Sequence, residues 1–462
     1  MQTDLSIDLD LIRRYNQPGP RYTSYPTAPH FTDEYGTEAF RRDLSEASSN
    51  TPLSLYLHLP FCQSLCYYCG CHMKVTQNPE TIETYLTALK QEIDQLAAAV
   101  DTSRPVVQMH WGGGTPTYLS PDQIRDLGAH LRHRFSFASD AEISLEADPR
   151  TVTAERMAAA ASVGFNRVSF GVQDVNREVQ EAINRVQPIA MVEEAVGWAR
   201  EYDYNGVNVD LIYGLPHQTL DRFDRTLDVT QRLAPDRIAV YSYAHVPSIK
   251  NHQRVIDQEA LPSPDEKLRL FERALERLTG SQNGRAYRFI GMDHFARPDD
   301  PLSVAQDEGT LHRNFQGYST RAGAEILALG ISGISQLSGA YAQNVKAFPA
   351  YYDRIESDRL GTYRGYRLTS EDRLRRHVIM QLMCHFHLQK ADIEERFAVD
   401  FDRRFASALE WLKPMEGDGL VTLTPEAIHV RPEGRLLIRN IAMAFDAYWR
   451  TDEEQPVHAQ TV

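Results

Sequence analysis

From residue 51 onward the chain alternates between short apolar runs and longer stretches whose apolar residues recur every three or four positions. The first pattern predicts strands and the second amphipathic helices. Six strands are expected, over 53–59, 106–111, 142–147, 167–172, 206–213 and 237–243. Several are near-continuously apolar, such as Ile238-Ala-Val-Tyr-Ser-Tyr243, as strands covered on both faces of a parallel sheet should be. Of the helices between them, one carries Ile82, Tyr85, Leu86, Leu89, Ile93 and Leu96 at helical spacing. Asn78 is its N-cap and Pro79 its first residue, where a missing N–H costs nothing. Six strand–helix alternations imply an α/β fold with right-handed crossovers. A partial six-strand barrel and a closed eight-strand barrel both satisfy the pattern.

Beyond the alternation the pattern changes. Residues 246–345 are expected to extend and close the catalytic unit. From about 360 to 447 helical spacing dominates, with Leu374, Val378, Ile379, Leu382 and Met383 on one face. Residues 420–430 read as a short hairpin, giving a winged-helix-like end that fits a lid or docking domain. The expected organisation is an N-terminal arm over 1–50, a catalytic domain over 51–350, a mostly helical domain over 351–450 and a disordered tail over 451–462.

The polar residues at the strand ends give this frame its meaning, because β/α barrels place catalytic groups at the C-terminal ends of their strands. A cysteine-rich loop follows the first strand, and Trp111-Gly-Gly113-Gly114-Thr115-Pro116 follows the second. Glu146 ends the third strand, Gln173 ends the fourth, Asp210 lies in the fifth, and Tyr243-Ala244-His245 ends the sixth. Singly, each is an ordinary turn or capping residue. In register with six strands they face one pocket.

Four of the five cysteines fall in Phe61-Cys62-Gln-Ser-Leu-Cys66-Tyr67-Tyr68-Cys69-Gly70-Cys71. Cys62, Cys66 and Cys69 offer three thiolates from one loop, and a 4Fe–4S cluster is held by such thiolates. Three protein ligands leave one iron open, as catalytic metal centres keep a position open. Structural zinc more often uses two separated ligand pairs, and no second pair is present, although Cys71 or His72 could complete a zinc site. A disulfide framework is less compatible still with a long acidic chain whose start lacks a signal pattern. Cys384 reads as a core thiol.

Composition narrows the class. Of 462 residues, 63 are acidic and 49 basic, giving a net charge of −14 that argues against a general nucleic-acid surface. No apolar run is long enough to span a membrane. A cytoplasmic enzyme is expected, where thiolates stay reduced.

The cysteine spacing and strand-end residues resemble the radical S-adenosylmethionine (SAM) superfamily. Within it, the chain is similar to the oxygen-independent coproporphyrinogen III oxidases. The similarity lies in Gly19-Pro-Arg21-Tyr22-Thr-Ser-Tyr25-Pro-Thr-Ala28, Cys62 through Cys71, and Trp111 through Thr117. It continues in Gly171-Val-Gln173-Asp, Asp210 through Pro216, His312-Arg313-Asn-Phe315-Gln316-Gly-Tyr318, and Gly365-Tyr-Arg-Leu ahead of Arg375-Arg376.

The resemblance implies a partial (β/α)6 radical SAM barrel, a 4Fe–4S cluster and one or two SAM molecules. It implies a 5′-deoxyadenosyl radical that removes a β-hydrogen from each of two propionates of coproporphyrinogen III, leaving the vinyl groups of protoporphyrinogen IX. By the same resemblance, Cys62, Cys66 and Cys69 hold the cluster. Tyr56, Tyr68, Gly113, Gly114, Thr115, Glu146, Gln173, Arg185, Asp210 and Ala244 surround SAM. Phe315, Gln316 and Ile334 contact a second SAM or the substrate. Tyr56 and Cys71 are the candidate catalytic residues, Cys71 for substrate radical chemistry or electron relay. Four propionates require cations, for which Arg21 and Arg313 are the candidates, with Arg375 behind them. A reductase or flavodoxin-like electron donor and a monomeric state are also expected. The rivals are a haem-binding chaperone of the same superfamily and a radical SAM enzyme with another substrate, such as a methyltransferase. The arm and Cys71 weigh against the chaperone.

Overall fold

The computed structural model describes residues 8–48, 50–280, 286–449 and 460–461. The expected tail therefore lies outside the described residues except for Gln460 and Thr461. The chain divides into two units, one of Phe31–Ala274 with Gly323–Arg367, the other of Met1–His30, Leu275–Ala322 and Leu368–Val462.

The first unit is built on one sheet. Its strands are β1 (Leu53–Leu59), β2 (Val106–Gly113), β3 (Phe137–Ala147), β4 (Arg167–Gln173), β5 (Gly206–Tyr213), β6 (Arg237–Ser242), β7 (Glu325–Leu329), β8 (Ile334–Gln336), β9 (Ala340–Asn344) and β10 (Thr362–Arg367). All six expected strands form, two with the expected bounds. The spatial order within this unit is β10-β9-β8-β7-β1-β2-β3-β4-β5-β6. β1 to β6 run parallel, and β7 adds a seventh parallel strand on the open side of β1. β8, β9 and β10 then continue antiparallel. β1 pairs with β7 and β2, not with β6, so the sheet is a partial barrel and not a closed eight-strand one.

The parallel strands alternate more strictly than the sequence suggested. Leu55, Leu57, Met109, Trp111, Ile143, Leu145, Val168, Phe170, Val209, Leu211, Ile238 and Val240 are buried. Alternate positions carry polar groups because successive side chains point to opposite faces. One polar layer joins Ser54 to Gln108 (3.3 Å) and Gln108 to Glu142 (3.0 Å). Glu142 in turn pairs with Arg167 at 3.2 Å and Arg237 at 3.5 Å. Two residues further along the strands, toward their C-terminal ends, lie Tyr56, His110, Ser144 and Asp210. The barrel interior is thus layered, with a charged floor below the candidate site.

Helix α1 (Pro79–Ala99) follows the cysteine loop. The Asn78 side chain accepts from the Glu80 N–H at 2.9 Å, and Pro79 opens the helix, as expected. On its buried face Glu92 accepts hydrogen bonds from the Gly330 N–H (2.6 Å), the Gly361 N–H (3.2 Å), Asn344 (2.8 Å) and the Tyr351 hydroxyl (2.7 Å). Burial pushes this carboxyl up despite those donors. Glu92 ties the turns after β7 and before β10 to α1. Glu92→Gln sets an amide N–H₂ against donors, and is expected to cost roughly 2–6 kcal/mol, two unsatisfied buried groups' worth. A lower urea midpoint at unchanged slope is the expected result.

In the second unit, helices Ser370–His385, Lys390–Phe397 and Ala406–Gly417 accompany a small sheet. The expected hairpin forms, Val421–Leu423 pairing with Ala427–Val430, and His387–Gln389 lies on its other side. The arm segment is anchored in this same unit: buried Tyr22 donates to Asp446 at 2.8 Å, and the Tyr25 hydroxyl accepts from the Ala447 N–H at 2.9 Å. Cys384 is buried, as expected.

Candidate functional site

The cysteine loop is held by the elements around it. The Tyr67 N–H donates to Ile183 O at 3.0 Å, and Tyr67 and Tyr68 pack on an apolar cluster of Val179, Ile183, Ile212, Leu215, Tyr243 and Ile256. His252 bonds Cys69 O at 2.7 Å, Gln253 donates to Tyr68 O at 3.1 Å, and Lys250 donates to Cys71 O at 3.1 Å.

Each of the three candidate ligands has a hydrogen-bond partner at sulfur. The Thr115 hydroxyl lies 3.4 Å from Cys62 Sγ. Arg150 and Arg185 donate to Cys66 Sγ at 3.3 and 3.4 Å. The Cys71 N–H donates to Cys69 Sγ at 3.4 Å. The neighbouring Cys71 thiol, with the Cys71 N–H, pulls Cys69 down to about 6 against the opposing effect of burial. Burial pushes Cys62 up to about 11. No three Cys, His, Asp or Glu side chains among the described residues converge as around a single metal ion. A cubane takes its thiolates on separate irons. Three thiols on one loop, two guanidinium groups at Cys66 and N–H and O–H donors at the others fit that donor set.

Arg185 is buried. It donates to Asp148 Oδ2 at 2.8 Å and to Gly171 O at 2.6 Å, while its Nε is buried without a partner. Burial raises the Asp148 carboxyl, but Arg185 and Arg150 outweigh it and hold it below the usual range. Asp148 and Arg150 were not singled out from the sequence. Arg150's partner Cys66 and Asp148's partner Arg185 lie far away in the chain, and only Asp148-Pro149-Arg150 directly after β3 marks them.

Several of the strand-end residues lie against one another. Tyr56 stacks on His110 with centroids 6.0 Å apart, and its hydroxyl lies 3.1 Å from His58 Nδ1. Glu146 accepts from the Gly113 N–H at 3.0 Å and lies 3.5 Å from His110. Burial would raise Glu146, yet His110 and the Gly113 N–H keep it below the ordinary value. Gly113 has φ +112°, and a Cβ on it would meet the His58 ring at 2.7 Å. A Cβ on Gly114 would meet the Phe61 and Pro60 backbone at 2.7 Å, so only glycine allows this approach. The Gly114 and Thr115 N–H groups donate to Leu59 O and Phe61 O, both at 2.8 Å. The N–H groups of Gly113, Gly114 and Thr115 are therefore committed within the protein. Gln173 has φ +65° and a buried Oε1 without a partner, an acceptor held ready for a ligand donor. Ala244 is exposed just past β6.

Asp210 accepts from Ser169 at 3.0 Å. Burial first, and then Glu146, push it up from 3.8 to about 7. An acid whose pKa is raised on folding binds an extra proton in the native state between those two values, so the parent loses stability as pH rises from about 4 to about 7. Asp210→Asn is expected to lack this loss and to gain on the parent across that window, with nothing further gained above it. Urea titrations of both proteins from pH 4 to pH 8 read this out.

Ile334 lies in this same unit on β8. Arg21, Arg313, Phe315 and Gln316 belong to the other unit. There Arg21 is paired with Asp293. Arg313 is buried 4.8 Å from the Tyr318 ring, with Nε and one terminal nitrogen unpartnered, and the Gln316 side-chain nitrogen is also unpartnered.

Residues 56–230 match the Radical SAM superfamily model, and residues 368–437 match the HemN C-terminal domain. The chain is 47% identical over 443 residues, 96% of each chain, to an oxygen-independent coproporphyrinogen III oxidase of Escherichia coli (strain K12). It is 43% identical to the protein of that name in Synechocystis sp., over 98% of this chain and 97% of the other. A solved structure of coproporphyrinogen III oxidase (HemN) from Escherichia coli, described as a radical SAM enzyme, superposes with TM-score 0.91 at 45% identity, covering 96% of this chain and all of that one. No helix among the described residues is long and apolar enough to cross a membrane. The chain belongs to the oxygen-independent coproporphyrinogen III oxidase family.

Proposed function

We propose that this chain is the SAM-dependent enzyme that oxidatively decarboxylates two propionates of coproporphyrinogen III without oxygen, giving protoporphyrinogen IX. Each propionate loses CO₂, a β-hydrogen atom and one electron to become a vinyl group. The observation that carries this reading is full-length kinship combined with a cysteine triad at the mouth of a polar-lined partial barrel. When bound, the cluster and SAM supply a 5′-deoxyadenosyl radical, and with it hydrogen removal from an unactivated carbon.

The protein's own work is positioning and exclusion of water. In this reading Cys62, Cys66 and Cys69 hold the cluster, and Arg150 and Arg185 neutralise its thiolates. Glu146 and Gln173 accept from ribose hydroxyls, Tyr68 flanks the adenine, and the Gly113–Gly114 backbone carries acceptors for the methionine ammonium. Asp210 and Ala244 wall the same space, and Tyr56 approaches the sulfonium. Phe315, Gln316 and Ile334 meet substrate or a second SAM, and Arg21 and Arg313 meet propionates. A flavodoxin-like donor, a monomeric state and a cytoplasmic setting complete the proposal.

The arm and Cys71 favour an enzyme over a haem carrier. Anaerobic incubation with SAM, a reductant and coproporphyrinogen III should yield protoporphyrinogen IX with little haem uptake. Stoichiometric haem binding without vinyl product would transfer the chain to the carriers. Cys71→Ser is expected to keep the cluster's visible absorbance while product formation falls. Loss of that absorbance would make Cys71 part of the cluster's support.

A further inference from the structure

Three cations of the catalytic unit, Lys250, Lys346 and Arg364, have no carboxylate partner among the described residues. Lys250 follows β6 and donates to Cys71 O at 3.1 Å. Lys346 follows β9, and its carbonyl accepts from the His72 ring at 2.8 Å, so its main chain borders the same end of the cysteine loop. Arg364 on β10 donates through Nε to Gln343 Oε1 at 2.7 Å, which leaves the terminal guanidinium nitrogens for another acceptor.

Sheet register sets which way Arg364 faces. Tyr56 pairs with Ala328 across β1 and β7. Two residues on from the Ile326–Gln336 pair, Ala328 lies opposite Ile334. Ile334 pairs with Gln343, and Gln343 with Arg364. Directly paired side chains share a face, so Tyr56, Ile334, Gln343 and Arg364 form one row along the inner face of the sheet. Burial, then Arg364, then Lys250 lower the pKa of Lys346, so each of the other two cations lies within electrostatic reach of it. None of the three makes an ion pair among the described residues, although the chain carries 63 acidic residues. Like charges left unpaired within reach of one another are costly without an anion to receive.

We propose that Lys250, Lys346 and Arg364 form the recognition site for a propionate carboxylate of the tetrapyrrole, holding that side chain beside Cys71. This rests on the function proposed above and names residues that carry its substrate specificity. Arg364 supplies the planar fork suited to a carboxylate, and the two lysines supply point charges.

The test is steady-state kinetics under anaerobic conditions with Lys346→Gln and Arg364→Gln, beside the charge-retaining Lys346→Arg and Arg364→Lys. Each Gln variant should raise KM for coproporphyrinogen III roughly ten- to hundredfold, the loss of one charge-assisted hydrogen bond. Cluster absorbance and KM for SAM should stay at parent values, and the charge-retaining variants should recover most of the affinity. Parent KM in the Gln variants, with normal parent turnover, would overturn this site and leave the function intact. So would an unchanged KM with slower reduction by an acidic flavodoxin, which would give the cations to a protein partner. Loss of the cluster in all four variants would make the residues structural and overturn the site. Absence of turnover in the parent would overturn the function and this site together.

Discussion

Cys66→Ser should leave a folded, colourless protein without turnover. Cys66 is the most buried of the four clustered thiols, at 7% exposure, and two guanidinium groups donate to its sulfur. A serine hydroxyl is neither deprotonated at neutral pH nor a soft ligand, so iron retention should fail. Outer partners of a metal ligand typically matter about 10–100-fold, and removal of the ligand itself should exceed that. Iron and sulfide content with the visible spectrum after anaerobic reconstitution reads the result. A fully loaded, active Cys66→Ser protein would remove Cys66 from the ligand set.

Arg185→Met should damage both the fold and the chemistry. Arg185 is 6% exposed and joins Asp148, Gly171 O and Cys66 Sγ, so one side chain fixes the ends of β3 and β4 against the cysteine loop. Its loss leaves Asp148 with Arg150 at 2.6 Å as its remaining cationic partner. Breaking a buried pair by removing one member typically costs about 3–5 kcal/mol, and Arg150 should hold the loss near the lower end. Activity should fall by at least roughly 10–100-fold, as for other outer supports of a metal ligand. Arg185→Lys keeps the charge but not the fork, and should recover stability more than turnover. Urea unfolding and kcat measured on the same preparations separate the two effects. Parent activity in Arg185→Met would make the arginine purely structural.

Much of the barrel was legible because its strands are short apolar runs between well-capped helices. β1 and β5 end where the pattern ends, at Leu59 and Tyr213. β7 was not legible as a strand, because Glu325–Leu329 is five residues long and no helix pattern links it directly to β6. The inner polar layer was hidden for a different reason. Gln108 and Glu142 look like interruptions of buried strands until their partners across the sheet are known. In the site, strand-end position exposed Glu146, Gln173 and Asp210, since the C-terminal ends of parallel strands share one rim. Asp148, Arg150 and the cations Lys250, Lys346 and Arg364 depend on contacts between distant segments, which spacing does not encode.

The central claim is that hydrogen leaves the propionate β-carbon to the adenosyl group of SAM while the polar rim holds both. The most direct measurement is anaerobic turnover of coproporphyrinogen III deuterated at the propionate β-carbons, with mass analysis of the 5′-deoxyadenosine formed. Deuterium in deoxyadenosine, rising in step with vinyl product and absent with Cys66→Ser, is the predicted result. Vinyl product accompanied only by unlabelled deoxyadenosine would contradict it.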